Sequence, residues 1–586
     1  MKRKVTISLD IGGTWIKGAV IDCGILDKIL ESNSFTYFKT EAVGKAGSNL
    51  SQDAPVAVFI EALKELFSGI LTTDMDICGV GISTAGVVNY EGSGIIFTAP
   101  HLSPLKDNSW IHWISEYLNT EVILVNDADA VAIGAASLGY LKGYKTVGIM
   151  PVGTGLGFTV WRNGRRWNPF FSYTLMGCIS VPMGTYDQLA SAVSFAKRHP
   201  EGDMHALFKD EKYAETTDLY LNNLVHVIQS SYYIYHTEEI LLGGGLADAA
   251  TAAGFPLAER LNVLLDKQPL LDGKKQRVRL LQEGNTLPLL GAALVGYGEA
   301  GVRGKKRRKN YDSFSTERAY DSSLNLGKMD SSKLIELFWK TEQEAGAALH
   351  HSIKDISDTA DRIVSSLQTG GRLIYVGAGT SGRLAAIDTV ELACTFGFPR
   401  DGVITLIAGG LADAAFDIEM NFEEDASAVP EMLIASVNKR DIVVGISVSG
   451  SAYYVQSALA YAKFIGAGSI LIQEEADDGN NSFCDKVISL HTGGEVISGS
   501  TRMKAGTATK KVLNFLSTTT MIRLEKVHGI FMTNMECINE KLLLRAQHIL
   551  MSLYNLPEKE ALALLESTGN SLNEAIKLTD NSGSLS

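Results

Sequence analysis

The chain has 586 residues, 45% of them hydrophobic and 20% charged, a balance that fills large cores and argues against extensive disorder. That length exceeds one ordinary core, so two or more large domains are expected. A net charge of −13 and a pI near 5.4 repel nucleic acid and anionic lipid, which removes both as expected partners and favours small molecules.

The start, Met1 to Lys4, is basic, but Asp10 and the glycines after it interrupt any apolar segment before it reaches signal-peptide length. Val5–Leu9 reads as a buried strand, followed in the first half by Val122–Val125, Thr146–Met150 and Ile240–Leu242. Each runs into a polar or glycine-rich turn. The basic run Arg303–Lys309 and the polar stretch to Ser315 read as a solvated linker rather than a nucleic-acid patch. Beyond it, Ser332–Leu367 reads as long helix in one or two pieces. Leu373–Val376, Ile442–Ile446 and Ser469–Ile472 read as further buried strands, and Pro557–Leu578 as a small helical tail. This texture predicts α/β architecture with largely parallel sheets, and functional groups at the carboxyl ends of the strands. The expected divisions are 1–302, a linker 303–315, 316–553 and a tail 554–586.

The six cysteines, Cys23, Cys78, Cys178, Cys394, Cys484 and Cys537, form no CxxC pair, which disfavours a zinc site or a disulfide framework. No apolar run approaches membrane-spanning length. A cytoplasmic enzyme with reduced thiols is expected.

In the first half, Asp10, Ile11, Gly12, Gly13 and Thr14 follow a strand directly, with Lys17 three residues on. That pattern predicts a tight hairpin whose bare backbone can approach a phosphate. Gly153, Thr154, Gly155, Leu156 and Gly157 form a second such turn, and Gly243, Gly244 and Gly245 a third. Any one of them reads equally as a plain hairpin turn; three in this order are more specific. Over roughly residues 1 to 300 the chain resembles the ROK sugar kinases of the actin-like ATPase fold. The resemblance implies ATP and magnesium as cofactors, held at these turns, and a catalytic motif at Asn126, Asp127, Ala128 and Asp129. Asp127 would be the general base that takes the proton of the attacking sugar hydroxyl, with Asn126 at the substrate. The plainer reading is that Asp127 caps the helix expected over Ala130–Leu138. Two departures bear on the sugar. Gly184–Ser191 looks like the zinc-free branch, with Asp187 in the place of a sugar-binding glutamate, so no metal site is expected. His101 stands where the family has a sugar-contacting asparagine; it either binds a hydroxyl or is a surface histidine.

In the second half, Gly377 to Arg383 follow a strand and precede a helix, so the backbone and the hydroxyls of Thr380 and Ser381 beside Gly379 converge as a phosphate cradle. Ser447 to Ser451, including Ser449, end another strand in the same way, and Ser498 to Arg502, including Ser500 and Thr501, make a third hydroxyl-rich turn. Hydroxyls without a P-loop lysine suit a sugar phosphate better than a nucleotide. From Thr316, Glu317 and Arg318 to the helical tail this half closely resembles the N-acetylmuramic acid 6-phosphate etherases, built on the sugar-isomerase (SIS) domain, a doubly wound parallel sheet. The resemblance implies that Glu391 is the acid that protonates the departing lactyl oxygen, facing the serine-lined pocket rather than bulk solvent. A second catalytic glutamate falls at Glu423 or Glu424; the first keeps the downstream spacing, the second keeps the Glu-Asp pair. No cofactor is implied for this half. Leu392, Ala393 and Cys394 replace two prolines, and Ser451 an arginine.

Together these resemblances imply a bifunctional enzyme that phosphorylates an amino sugar and then releases D-lactate from the phosphorylated product, and the resemblance to sugar-isomerase domains implies a homodimer. The alternatives are a sugar-phosphate-sensing regulator, or an etherase whose kinase half is inactive or prefers N-acetylglucosamine or glucose.

Overall fold

The computed structural model of the protein describes residues 2–583 apart from 33–41, 48–54, 90, 99, 163–164, 168–175, 198–203, 269, 271–272, 283, 285, 303–314, 411–426, 475–480, 536 and 538. The chain divides into two units. One comprises Met1–Lys306, Gly409–Asn438 and Ala460–Gly466; the other comprises Arg307–Ala408, Lys439–Leu459 and Ala467–Ser586. The second unit is therefore discontinuous in sequence, unlike the contiguous 316–553 expected. The short helix Val429–Ile434 buries Met432 and Leu433 within the first unit, where the Trp161 indole donates to the Ile434 carbonyl. The expected linker lies almost wholly outside the described residues.

The first unit holds two five-stranded sheets of the same plan. One has the order β3-β2-β1-β4-β5, with β1 Arg3–Ile11, β2 Trp15–Asp22, β3 Ala42–Gly47, β4 Met75–Thr84 and β5 Val122–Asn126. The other has the order β8-β7-β6-β9-β10, with β6 Thr146–Pro151, β7 Thr159–Arg162, β8 Arg165–Arg166, β9 Glu239–Gly243 and β10 Arg277–Leu280. In each, two of the four strand pairings are parallel and the two on the hairpin side are antiparallel. These sheets are mixed rather than largely parallel, because the short turns after β1 and β6 double the chain straight back, which only antiparallel pairing allows. Val5, Ile7, Leu9 and Ile11 are at most 1% exposed, and Thr6 and Ser8 on the opposite face are also buried. Ser8 Oγ donates to the Leu289 carbonyl at 2.5 Å, which satisfies a buried hydroxyl and ties the apolar helix Leu287–Val302 to the sheet.

The second unit is built on β11 Leu373–Gly377, β12 Val403–Ile407, β13 Ile442–Ile446, β14 Gly468–Gln473 and β15 Lys486–Ser489, all parallel, in the order β12-β11-β13-β14-β15. β11, β12 and β13 are buried at every position, the continuous apolar run of strands covered on both faces. The expected long helix is two helices, Ser331–Ala348 and Ile353–Gln368, joined by a 3-10 turn at Leu349–Ser352. Ile356, Thr359, Ala360, Ile363 and Val364 form the buried stripe of the second. Arg372 and Asp441 fasten the amino-terminal edge of the sheet: Arg372 N–H donates to Asp441 at 2.8 Å and its guanidinium at 2.7 Å. At the carboxyl end of the chain, helices Glu540–Tyr554, Glu558–Ser567 and Leu572–Gly583 share one small core of Ile549, Leu550, Leu565 and Leu572. The tail expected from 554 thus takes in the preceding helix as well.

Candidate active sites

In the first unit the three glycine turns meet. Gly12 N–H donates to the Trp15 carbonyl at 3.0 Å, closing the hairpin between β1 and β2. A Cβ on Gly13 would lie 2.9 Å from the Thr154 methyl, so the first turn touches the second only because Gly13 has no side chain. The second turn rests on the third: Val152 N–H donates to the Gly243 carbonyl and Leu246 N–H to the Val152 carbonyl. Gly244 has φ +82°, and a Cβ there would meet the Val152 carbonyl at 2.7 Å. Gly155, at the far side of the second turn, approaches the Asp187 carboxylate, which accepts from Leu156 N–H at 2.5 Å.

Asp127 stands where these turns converge, as the first residue of the helix Asp127–Ser137. The cap is Asn126, not Asp127. Its Oδ1 accepts from Ala128 N–H and Asp129 N–H while its Nδ2 donates to the Gly86 carbonyl. The Asn126 carboxamide oxygen is thus taken by the cap and one of its two N–H groups by Gly86, so any part at the substrate falls to the other N–H. Asp127 accepts from Ala128 N–H at 2.8 Å. Burial pushes its carboxyl up to about 7; the Ala128 bond opposes this, and the nearby carboxylates Asp10, Asp129 and Asp187 add to it. Asp10 is held by Ser83 Oγ at 2.9 Å and by Lys17 Nζ at 3.4 Å. His101 falls in the 3-10 segment Pro100–Lys106, and its side chain lies outside the described residues. Sequence reasoning named Asp129 only as part of a motif and missed Arg166. The two form an ion pair whose side chains are 6% and 17% exposed, and no local pattern announces a contact across 37 residues.

In the second unit the strand order changes direction between β11 and β13, with β12 on one side and β13 on the other, the switch point at which open α/β sheets bind ligands. The turn after β11 opens the helix Gly379–Phe396. Its Ala378 cap carries no side-chain bond, and the first amide to turn back is Gly382 N–H onto the Ala378 carbonyl. Among the described residues the amides of Gly379, Thr380 and Ser381 have no protein acceptor, and Gly379 and Thr380 are exposed. Such amides at a helix start are the donors an anion would need.

The turn after β13 reaches the same edge. Ser449 and Ser451 share a hydroxyl bond of 2.7 Å, whereas Ser447 is 4% exposed and its Oγ accepts from Ala452 N–H, so it caps as well as lines. At the third turn the helix Lys504–Arg523 is already capped. Glu495 accepts from Lys504 N–H at 3.2 Å and Ala505 N–H at 3.0 Å, which leaves the Ser500 and Thr501 hydroxyls rather than helix amides for an anion. Burial raises the Glu495 carboxyl. Glu317 lies at this turn: its carbonyl accepts from Ser498 Oγ, and a Cβ on Gly499 would meet its carboxylate at 2.8 Å. The sequence had marked Glu317 only as the start of a resemblance.

Glu391 is exposed, which corrects the expectation that it faces the serine-lined pocket rather than bulk solvent. It lies eleven residues beyond Thr380 on a straight helix, a rise of about 16 Å. It sits in a stripe with Ile387, 50% exposed, Val390, 59% exposed, and the exposed Cys394. On the inner face of the same helix Asp388 is 2% exposed and accepts from Tyr375 Oη and Ser517 Oγ, both at 3.0 Å. Glu423 and Glu424 lie outside the described residues. Among the described residues no group of three or more His, Cys, Asp or Glu could cage a metal, and no helix is long and apolar enough to cross a membrane.

The fold and the two sites define an α/β enzyme with a sugar-kinase segment in its first half and a sugar-isomerase sheet in its second. Residues 6–170 match the ROK family, and residues 355–463 match the glucokinase regulatory protein N-terminal SIS domain. The second half is 40% identical over 270 residues to N-acetylmuramic acid 6-phosphate etherase 2 of Bacillus licheniformis, covering 46% of this chain and 91% of that protein. It is also 40% identical over 254 residues to the N-acetylmuramic acid 6-phosphate etherase of Gloeobacter violaceus, covering 43% and 83%. Among solved structures, a ROK family glucokinase from Streptomyces griseus, in complex with glucose and AMPPNP, aligns at 20% identity and TM-score 0.40 over 50% of this chain and 99% of its own. The chain belongs to the N-acetylmuramic acid 6-phosphate etherase family, with a ROK segment ahead of the etherase half.

Proposed function

We propose that the first unit transfers the γ-phosphoryl group of ATP to O6 of an amino sugar, N-acetylmuramic acid, and that the second unit removes the lactyl ether from the product. The observation that carries this reading is the pairing, in one chain, of a base amid three phosphate turns with open helix-start amides at a sheet switch point.

In the first unit Asp127 accepts the proton of the sugar hydroxyl as that oxygen attacks phosphorus, and the bare turns at Gly12–Gly13, Gly153–Gly155 and Gly243–Gly245 bring backbone close to the nucleotide. Magnesium, when bound with the nucleotide, would supply neutralisation of phosphate charge beside these turns. Asp187, held at the second turn by Leu156 N–H, is the carboxylate that contacts the sugar hydroxyls.

In the second unit the amides at 379–381 and the hydroxyls of Thr380, Ser381, Ser449, Ser500 and Thr501 anchor the 6-phosphate. Ring opening places an aldehyde at C1, which acidifies the C2 proton and sets the C3 ether β to a carbonyl. A carboxylate, Glu423 or Glu424, takes that proton, and Glu391, too far along its helix to reach the sugar anchored in its own chain, protonates the departing lactyl oxygen of the substrate held by a second copy of the chain. Water then adds to the alkene, giving N-acetylglucosamine 6-phosphate and D-lactate.

An acid working on an ether must be shielded from water, and Glu391 of a lone chain is not. The exposed stripe Ile387, Val390 and Cys394 around it fits a second copy of the chain, which encloses the acid in a homodimer. ATP dependence places the enzyme in the cytoplasm. The test is incubation of the protein with N-acetylmuramic acid 6-phosphate, with and without the substitution E391Q. Lactate release that survives E391Q unchanged contradicts the acid assignment.

A further inference from the structure

The Asp129–Arg166 pair is unused by the mechanism above, yet it sits two residues from the base. Asp129 is 4% exposed. Its Oδ1 accepts from Thr159 Oγ1 on β7 at 2.9 Å and its Oδ2 from the Arg166 guanidinium on β8. β8 is a two-residue edge strand, with Arg166 in register opposite Trp161. The first turn of the helix that begins at Asp127 is thus clamped to the edge of the second sheet through one carboxylate.

We propose that Arg166 is a positioning residue for phosphoryl transfer: through Asp129 it fixes the turn that carries Asp127 and cancels a negative charge that would otherwise bear on that base. The catalytic consequence rests on the kinase reading, but the electrostatic coupling belongs to the protein alone. The charged groups around Asp127 are Asp10 from β1, Asp187 from the helix Tyr186–Ala190 and Asp129 from its own helix. Asp10 has Lys17, Asp187 has the Leu156 amide, and Asp129 has Arg166. Loss of the guanidinium leaves Asp129 as an uncompensated anion on the same helical turn, and a like charge at that range makes Asp127 hold its proton to higher pH.

The experiment follows the Asp127 carboxyl by 13C NMR during a pH titration of the full chain. Each protein is compared with its D127N counterpart to identify the resonance. The proteins are the wild type, R166M, R166K and the double variant D129N/R166M; phosphorylation of N-acetylmuramic acid by ATP is followed across the same pH range. R166M is expected to move the Asp127 midpoint and the acid limb of kcat upward by about one pH unit, roughly a tenfold loss of rate on the acid side. R166K should recover most of the shift, and D129N/R166M should return the midpoint to that of the wild type, because no orphan charge remains. A purely structural role predicts lost stability or rate without movement of the midpoint. An unmoved midpoint in R166M, or a shift that persists in D129N/R166M, overturns the proposal. A midpoint that moves as expected in a protein that transfers no phosphoryl group retains the coupling and refutes the kinase reading.

Discussion

Replacing Asp127 with asparagine should make the first unit more stable at neutral and alkaline pH while it removes the base. The carboxyl is held at about 7 against an ordinary 3.8, chiefly by burial. A folded value above the unfolded one means that the native state binds the extra proton. The associated stability is complete below about pH 4, is lost as the pH rises toward about 7, and stays lost above it. The difference of about 3 pH units corresponds to about 4 kcal/mol, and partial solvent access brings the expected gain of D127N at pH 8 to about 2–4 kcal/mol. At pH 5 only about a third of that difference has developed. For a unit of this size about 2 °C accompanies each kcal/mol, so D127N should melt about 4–8 °C higher than the wild type at pH 8 and far closer to it at pH 5. Five of the six tryptophans lie in the first unit, so intrinsic fluorescence during a thermal ramp reports its transition. A D127N protein that melts no higher at pH 8, or by the same margin at both pH values, refutes the argument that burial of an ionised base strains this site.

The other predictions address separate features. Gly244→Ala places a methyl group against the Val152 carbonyl in a left-handed turn; ADP formation should fall at least about tenfold while lactate release from supplied N-acetylmuramic acid 6-phosphate is unchanged. Val390→Asp puts a charge into the exposed stripe beside Glu391. It should shift the protein from dimer to monomer in analytical ultracentrifugation and remove lactate release, and a monomeric variant with full activity would show that a second copy is not needed. Asp441→Ala leaves the Arg372 guanidinium without its 1% exposed partner; the second unit should lose about 3–5 kcal/mol in a denaturant titration followed by circular dichroism.

Much of this could be read along the chain because its determinants are local. The buried strands declare themselves as short apolar runs, and Gly12, Gly13 and Gly153–Gly157 mark turns whose close approach requires bare backbone. The helix pair Ser331–Ala348 and Ile353–Gln368 follows from a 3.6-residue apolar stripe. What escaped the sequence depends on contacts between distant segments or on competition for the same atoms. Asn126 is expected at the substrate, but that its amide oxygen also caps the next helix and one N–H bonds Gly86 could not be read from the motif. Ser500 and Thr501 open a helix whose amides Glu495 has already taken. Glu391 faces outward because the helix periodicity that buries Asp388 and Leu392 turns the intervening residues to the other side. The mixed strand directions of the first unit depend on turn geometry that apolar patterning alone does not encode.

One incubation tests the two-site assignment most directly. Purified full-length protein is given ATP, magnesium and N-acetylmuramic acid, and ADP and D-lactate are followed together in the wild type, D127N and E391Q. ADP and lactate should both accumulate in the wild type, ADP alone in E391Q, and neither in D127N until N-acetylmuramic acid 6-phosphate is added, when lactate alone appears. Lactate formed by E391Q at the wild-type rate, or ADP formed by D127N at the wild-type rate, would contradict the roles assigned to those two carboxylates.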